Sequence, residues 1–176
     1  LKPREQQHGK LWRPSVLLLA SSPQSPLVQA CNYLKRGGIY VVGTVIVAQH
    51  IDDVSRKELQ ETEEAWQETV ASSKVKAFSQ VLVSPSARFG YHGLMTTAGL
   101  GALAPNTVVL PLWRNDHHDT ACSSLSEYVH VMRDAYALGK NVVVACNFEA
   151  VVDVEKGWQS LCLFWCRSEQ VFKCLN

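Results

Sequence analysis

Residues 99–104 read Gly-Leu-Gly-Ala-Leu-Ala, the G-x-G-x-x-A spacing of a dinucleotide-binding turn. In such a turn the glycines let the backbone approach a pyrophosphate, and the N-terminus of the following helix supplies N–H donors. Asp116-His117-His118-Asp119 gathers four side chains of metal-ligating type. Cys31, Cys122, Cys146, Cys162, Cys166 and Cys174 could form disulfides or hold zinc, and Cys162-x-x-x-Cys166 with Cys174 comes nearest to a zinc spacing. Each of these chemistries needs particular elements around it.

The elements follow from hydrophobic pattern. Short apolar runs at residues 15–20 (SVLLLA), 39–47 (IYVVGTVIV), 77–83 (AFSQVLV), 107–112 (TVVLPL) and 141–146 (NVVVAC) have the near-continuous hydrophobicity of buried parallel strands. Helices alternate with them. Ser25 as N-cap and Pro26 in the first turn open the first, which buries Leu27, Cys31 and Leu34 and ends at Gly37-Gly38. Ser55-Arg56-Lys57-Glu58 has the form of a capping box for a highly charged helix with Leu59, Trp66 and Val70 as its apolar seam. After Pro85-Ser86 a third helix places Tyr91, Leu94, Met95 and Ala98 on one side. Ser124-Leu125-Ser126-Glu127 is a second capping box, opening a helix that buries Tyr128, Val129, Met132, Ala135 and Tyr136 and stops at Gly139. Alternating strands and helices with right-handed crossovers imply an α/β fold. It is a Rossmann-like, doubly wound, mostly parallel five-stranded sheet with helices on both faces. Residues 1–13 form a linker arm, 14–146 the α/β domain and 147–176 a tail in which residues 148–154 and 158–165 have strand character.

Against that frame the opening glycines lose their cofactor. They follow a helix and precede a strand, the reverse of a dinucleotide turn. Gly99 is then a helix C-cap, with Gly101 and Pro105 turning the chain into the fourth strand. The first strand-to-helix turn, where a phosphate loop belongs, reads Ser21-Ser22-Pro23-Gln24-Ser25 and has neither glycine nor lysine. A nucleotide held at the carboxyl edge of the sheet would use Ser21, Ser22, Gly43 and Thr44. The Asp116–Asp119 cluster falls in a polar loop, as a solvated tip does, and the cysteines lack the paired second half of a zinc site, so no metal is expected. There is no G-x-S-x-G elbow, and no nucleophile, base and oxyanion set assembles, so no catalytic residue and no enzyme activity is expected.

Composition agrees. The chain has 176 residues, 47% hydrophobic and 19% charged, with formal net charge +1. That supports a sizeable core and gives no basic block of the kind that binds nucleic acid. The longest apolar run is far short of the roughly 20 residues of a spanning helix. Loosely spaced cysteines without an Asn-x-Ser/Thr sequon point to a reducing, cytosolic compartment. Ser123, Ser124 and Ser126 are candidate phosphorylation sites, with Ser124 also the N-cap.

Six blocks carry a resemblance. They are Trp12-Arg13-Pro14, Leu34-Lys35-Arg36-Gly37-Gly38, Val75-Lys76-Ala77-Phe78, Ser84-Pro85-Ser86-Ala87-Arg88-Phe89-Gly90, Gly99-Leu100-Gly101 and Pro105-Asn106-Thr107-Val108-Val109-Leu110. In order and spacing, over residues 12–146, they resemble the cytosolic C-terminal domain of the cation–chloride cotransporter family, and look closest to its orphan, cotransporter-interacting branch. The resemblance implies a universal-stress-protein-like fold on the cytosolic side of a membrane protein that carries chloride with potassium or sodium by symport. It implies a homodimer without catalytic activity that passes regulatory signals to its own transmembrane domain and intracellular loops. Related cotransporters and regulatory kinases are further partners it suggests, and the tail would begin a second α/β half. Some members of the family hold ATP or ADP at the ends of the first two strands, with a lysine just after the first. Here that position is Ser21, so no cofactor is expected, with ATP or ADP as the alternative. A free-standing universal-stress-type nucleotide sensor is the competing reading.

Overall fold

A computed structural model describes residues 13–35, 37–99, 101–114, 120–146 and 162–166. The elements are β1 (Val16–Leu19), α1 (Leu27–Leu34), β2 (Tyr40–Val47), α2 (Asp53–Ser72), β3 (Phe78–Ser84), α3 (Ala87–Thr97), β4 (Thr107–Pro111), α4 (Leu125–Ala137), β5 (Asn141–Cys146) and β6 (Cys162–Cys166). A 3-10 turn, Gly101–Leu103, precedes β4. The strand order is β3-β2-β1-β4-β5-β6. Strands β1 to β5 are all parallel. The five parallel strands are those read from the apolar runs. The tail adds β6, antiparallel to β5 with Val143 opposite Trp165, as a sixth strand of the same sheet.

Successive strand residues face opposite sides, so each strand feeds two cores. Leu17, Leu19, Val41, Val45, Val108, Leu110, Val142 and Val144 pack beneath α3 and α4. Val16, Leu18, Tyr40, Val42, Val109 and Val143 pack beneath α1 and α2. Burial on both faces explains the unbroken hydrophobic runs, each buried large side chain contributing about 1.5–3 kcal/mol. Helix α2 is held mainly by Trp66, fully buried, while most of its other residues face water.

The helix starts differ in detail from expectation. The capping box of α2 is Asp52 with Ser55, three residues before the expected one: Asp52 Oδ1 accepts from Ser55 N at 2.8 Å and Ser55 Oγ accepts from Asp52 N at 2.9 Å. Asp52 wins because its carboxylate is a strong acceptor for a helix N-terminus. In α1, Pro26 rather than Ser25 is the N-cap, and Ser25 Oγ receives only a long 3.4 Å bond from Leu27 N. Ser124 is the N-cap of α4, but Glu127 turns away from the Ser124 N–H toward Ser123 and Arg88. Tyr136 is 38% exposed, at the margin of the face it was expected to bury.

Candidate functional site

In a doubly wound sheet, ligands bind at the carboxyl ends of strands where the order reverses. Here that point lies between β1 and β4. Ser21 follows β1, and its Oγ is buried without a hydrogen-bond partner. It lies beside the Tyr91 phenol, outside hydrogen-bonding geometry, and helps to hold that group's pKa down. Tyr91, from α3, is fully buried, and its hydroxyl accepts from Ala121 N at 2.9 Å. Burial pushes the Tyr91 hydroxyl well above its ordinary pKa, so it stays a neutral phenol. Across the crevice the Tyr128 hydroxyl donates to Pro111 O at 2.8 Å and closes the end of β4.

The four expected nucleotide positions separate into two pairs. Thr44 is buried, donates to Ala20 O at 2.9 Å and accepts from Trp66 Nε1 at 2.8 Å, so its hydroxyl joins β1, β2 and α2. At Gly43 a Cβ would lie 2.9 Å from Leu94 Cδ1 and 3.3 Å from Leu17 Cδ1 and Leu19 Cδ2. The space above Gly43 is thus filled by apolar side chains. Ser22 Oγ donates to Gln24 Oε1 at 2.8 Å within the turn itself. Of these four positions only Ser21 and Ser22 stand at the crevice, and both offer hydroxyls there.

Gly99, Gly101 and Pro105 form the expected connector. Gly99 has φ +82° at the end of α3, and a Cβ there would lie 2.6 Å from Leu103 O. The thiols Cys31 and Cys122 are both pushed up to about 12, chiefly by burial, which keeps them protonated and poorly nucleophilic at neutral pH. Among the described residues no three His, Cys, Asp or Glu side chains group as metal ligands. Asp116, His117, His118, Asp119 and Cys174 lie outside the described residues.

Sequence reasoning missed three arrangements. Arg88 Nε and Nη2 bind the Asp134 carboxylate at 2.7 and 2.9 Å, and Arg88 N donates to Glu127 Oε1 at 3.1 Å. Glu127 Oε2 accepts from both Ser123 N at 2.9 Å and Ser123 Oγ at 3.0 Å. This clamp joins α3, α4 and the loop before α4, and it occupies Ser123, whereas Ser124 Oγ caps the helix and Ser126 is exposed. Arg88 leaves the Asp134 carboxyl below its usual range, mainly through their hydrogen bonds. Gly90 permits close packing: a Cβ would lie 2.4 Å from Val45 Cγ1. The Arg88-x-Gly90 spacing was the available signal for both. The third arrangement is Asn106. Its Oδ1 accepts from Ser15 N at 3.0 Å and from Thr107 Oγ1 at 2.8 Å, and its Nδ2 donates to Arg13 O at 3.0 Å.

A further feature marks the carboxyl end. Ile51 and Val54 are each 74% exposed and Phe89 is 73% exposed. Ile51 and Val54 flank the start of α2, Phe89 lies in the first turn of α3, and Gln49 Nε2 joins the two connectors by donating to Pro85 O at 3.2 Å.

The family model described as Solute carrier family 12 matches residues 24–159. Solute carrier family 12 member 9 of Rattus norvegicus is 33% identical over 177 residues, covering 79% of this chain and 19% of that protein. The Danio rerio member 9 is 30% identical, covering 85% of this chain and 21% of its own length. Vacuolar cation-chloride cotransporter 1 of Saccharomyces cerevisiae is 35% identical over 107 residues, covering 60% of this chain and 10% of its own. The chain thus spans about a fifth of the length of the curated member 9 relatives it matches. The chain belongs to solute carrier family 12, the cation–chloride cotransporters, as a C-terminal domain of that family.

Proposed function

We propose that this chain is the cytosolic regulatory and dimerisation domain of a cation–chloride cotransporter-like membrane protein. It controls transport, assembly or trafficking and catalyses no reaction. The observation that carries this reading is the exposed apolar group Ile51, Val54 and Phe89 at the carboxyl end of β2 and β3. Large apolar side chains exposed at one end of a sheet are a feature of protein contact surfaces. A second copy of the chain is the partner proposed for this end, and the domain's other partners are its own transmembrane part and intracellular loops. The mechanism is mechanical: two arrangements of the contact favour two states of the membrane part, by as much as their contact free energies differ. Chloride with potassium as cargo, and related cotransporters or kinases as further partners, belong to the same proposal. The test is the full-length protein carrying Ile51→Asp and Phe89→Asp, followed by surface amount and radiolabelled chloride flux. The reading expects one of these to change while the domain stays folded. Wild-type values for both would overturn it.

A second reading, a universal-stress-type ATP or ADP sensor, draws on the unpartnered Ser21 hydroxyl at the switch point. Calorimetric titration of the chain with ATP tests it. Saturable heat that disappears in Ser21→Val supports the sensor, and no heat removes it.

A further inference from the structure

The charges of this nearly neutral chain are segregated by the fold. The connectors that lead into the parallel strands, at the amino edge of the sheet, are residues 13–15, 35–39, 73–77, 98–106 and 138–140. Their described residues include Arg13, Lys35, Lys74, Lys76 and Lys140, and no Asp or Glu. Among the described residues, the carboxyl-edge connectors 20–26, 48–52, 85–86, 112–114 and 120–124 hold Arg114 and Asp52. Helix α2 is acidic, with Asp53 and five glutamates against Arg56 and Lys57.

Part of the basic edge serves the fold. Helix C-termini gather at this edge, where cations answer the last carbonyls and the partial negative charge. The Lys35 ammonium donates to Lys76 O, and Lys140 Nζ donates to Pro105 O at 2.6 Å. Arg13, Lys74 and Lys76 are different. All three are exposed, and none forms a salt bridge with a described residue. Their surroundings are already positive: burial and then the Lys76 charge lower the pKa of Lys35. Lys74 and Lys76 lead into β3 and Arg13 into β1, with β2 between them. At a spacing of about 4.8 Å between strands the cations are spread over roughly 10 Å rather than converging on one point. That distribution suits a plane of anions better than a single bound phosphate. The chain also enters β1 from this edge, through Arg13.

We propose that the amino edge of the sheet, through Arg13, Lys74 and Lys76, docks on the anionic phospholipid headgroups of the membrane that carries the transporter. The proposal rests on the regulatory-domain reading for its membrane, and on charge complementarity for its orientation. It places the apolar carboxyl end, with Phe89, on the side away from the lipid.

The test is co-sedimentation of the 176-residue chain with vesicles of phosphatidylcholine alone, or of phosphatidylcholine with phosphatidylserine. Binding is expected only with phosphatidylserine, and is expected to weaken as salt screens the charges. In Lys74→Gln/Lys76→Gln it should fall roughly fivefold per charge removed, roughly 25-fold in all. The matched variant Arg56→Gln/Lys57→Gln on α2 should bind as wild type. Equal binding to both vesicle types, or equal weakening by the two double variants, would overturn the proposal. So would retention on soluble polyglutamate without binding to phosphatidylserine vesicles, which would assign the edge to an acidic protein. Circular dichroism verifies that each variant folds. Sedimentation of the same samples separates the two readings: a wild-type chain that forms the dimer but binds no phosphatidylserine vesicles removes the docking and leaves the regulatory role.

Discussion

At the amino end of the sheet Asn106 ties β1 and β4 together through both ends of its side chain, and its carbonyl accepts from Asn141 N at 2.8 Å at the start of β5. At the carboxyl end, where ligands of doubly wound folds bind, Ser21 has a buried hydroxyl with no partner and Phe89 stands in water. The first end is stitched by polar groups turned inward and leaves cations outside, beside the exposed side chains of Phe78 and Leu103. The second has few polar groups that converge and leaves apolar surface outside. Both ends thus expose apolar side chains, and among the described residues it is the concentration of cations at the first that sets them apart.

Substitutions can break this contrast, with the largest effect at Asn106 and the smallest at Ser21. Asn106→Ala removes three side-chain hydrogen bonds at the stitched end and should cost about 3 kcal/mol in urea unfolding, because Ser15 N and Arg13 O lose their partner. A cost below the range of surface substitutions would show that the amino end is not stitched as described. Gly99→Ala introduces a Cβ near Leu103 O at a positive φ and should cost about 2 kcal/mol. Gly101→Ala, also at positive φ but in open space, should cost about 1 kcal/mol. Equal costs would mean that the contact at Gly99 relaxes.

Thr44→Val leaves Trp66 Nε1 and Ala20 O unpaired and should cost about 1.5 kcal/mol, read as a shift in thermal midpoint. A neutral outcome would reopen Thr44 as a ligand group. The clamp gives a pH dependence. Arg88 lowers the pKa of Asp134. At Glu127 burial pushes the pKa up, but the N–H groups of Ser123 and Arg88 more than cancel it. Both folded pKa values lie below their unfolded ones. Their stabilisation is therefore full above an unfolded carboxylate pKa of about 4 and is lost as pH falls through the folded values. Asp134→Asn should flatten the fall in denaturation midpoint between about pH 5 and pH 3. An unchanged slope would place the acid sensitivity elsewhere. The smallest effect belongs to Ser21→Ala, which removes an unpartnered hydroxyl and should change stability by less than about 0.5 kcal/mol in either direction.

What could be read from sequence was set by pattern. Unbroken apolar runs located β1 to β5 because both faces of a parallel sheet are buried, and Gly99 was legible because a glycine after a helix and before a strand has a backbone task. The start of α2 was misread because Ser55 can cap a helix or sit at its third position, and only the Asp52 carboxylate decides between them. Thr44 illustrates a second limit. A threonine in a buried strand looks like a pocket hydroxyl until Trp66, more than twenty residues on, proves to donate to it. Asn106 and Arg88 were quoted as parts of motifs, yet their partners Ser15, Arg13 and Asp134 lie far along the chain, so their roles could not be derived locally. The amino-edge cations were visible one by one, and only the parallel topology gathers them onto one edge.

The central claim is that this chain works as an assembling regulatory domain, with Phe89 and Ile51 at its contact surface. Sedimentation equilibrium of the chain over a range of concentrations, without nucleotide, tests it most directly. The account predicts a reversible dimer that Phe89→Asp dissociates into folded monomers. A monomer at every concentration, or a dimer indifferent to both Phe89→Asp and Ile51→Asp, would contradict it.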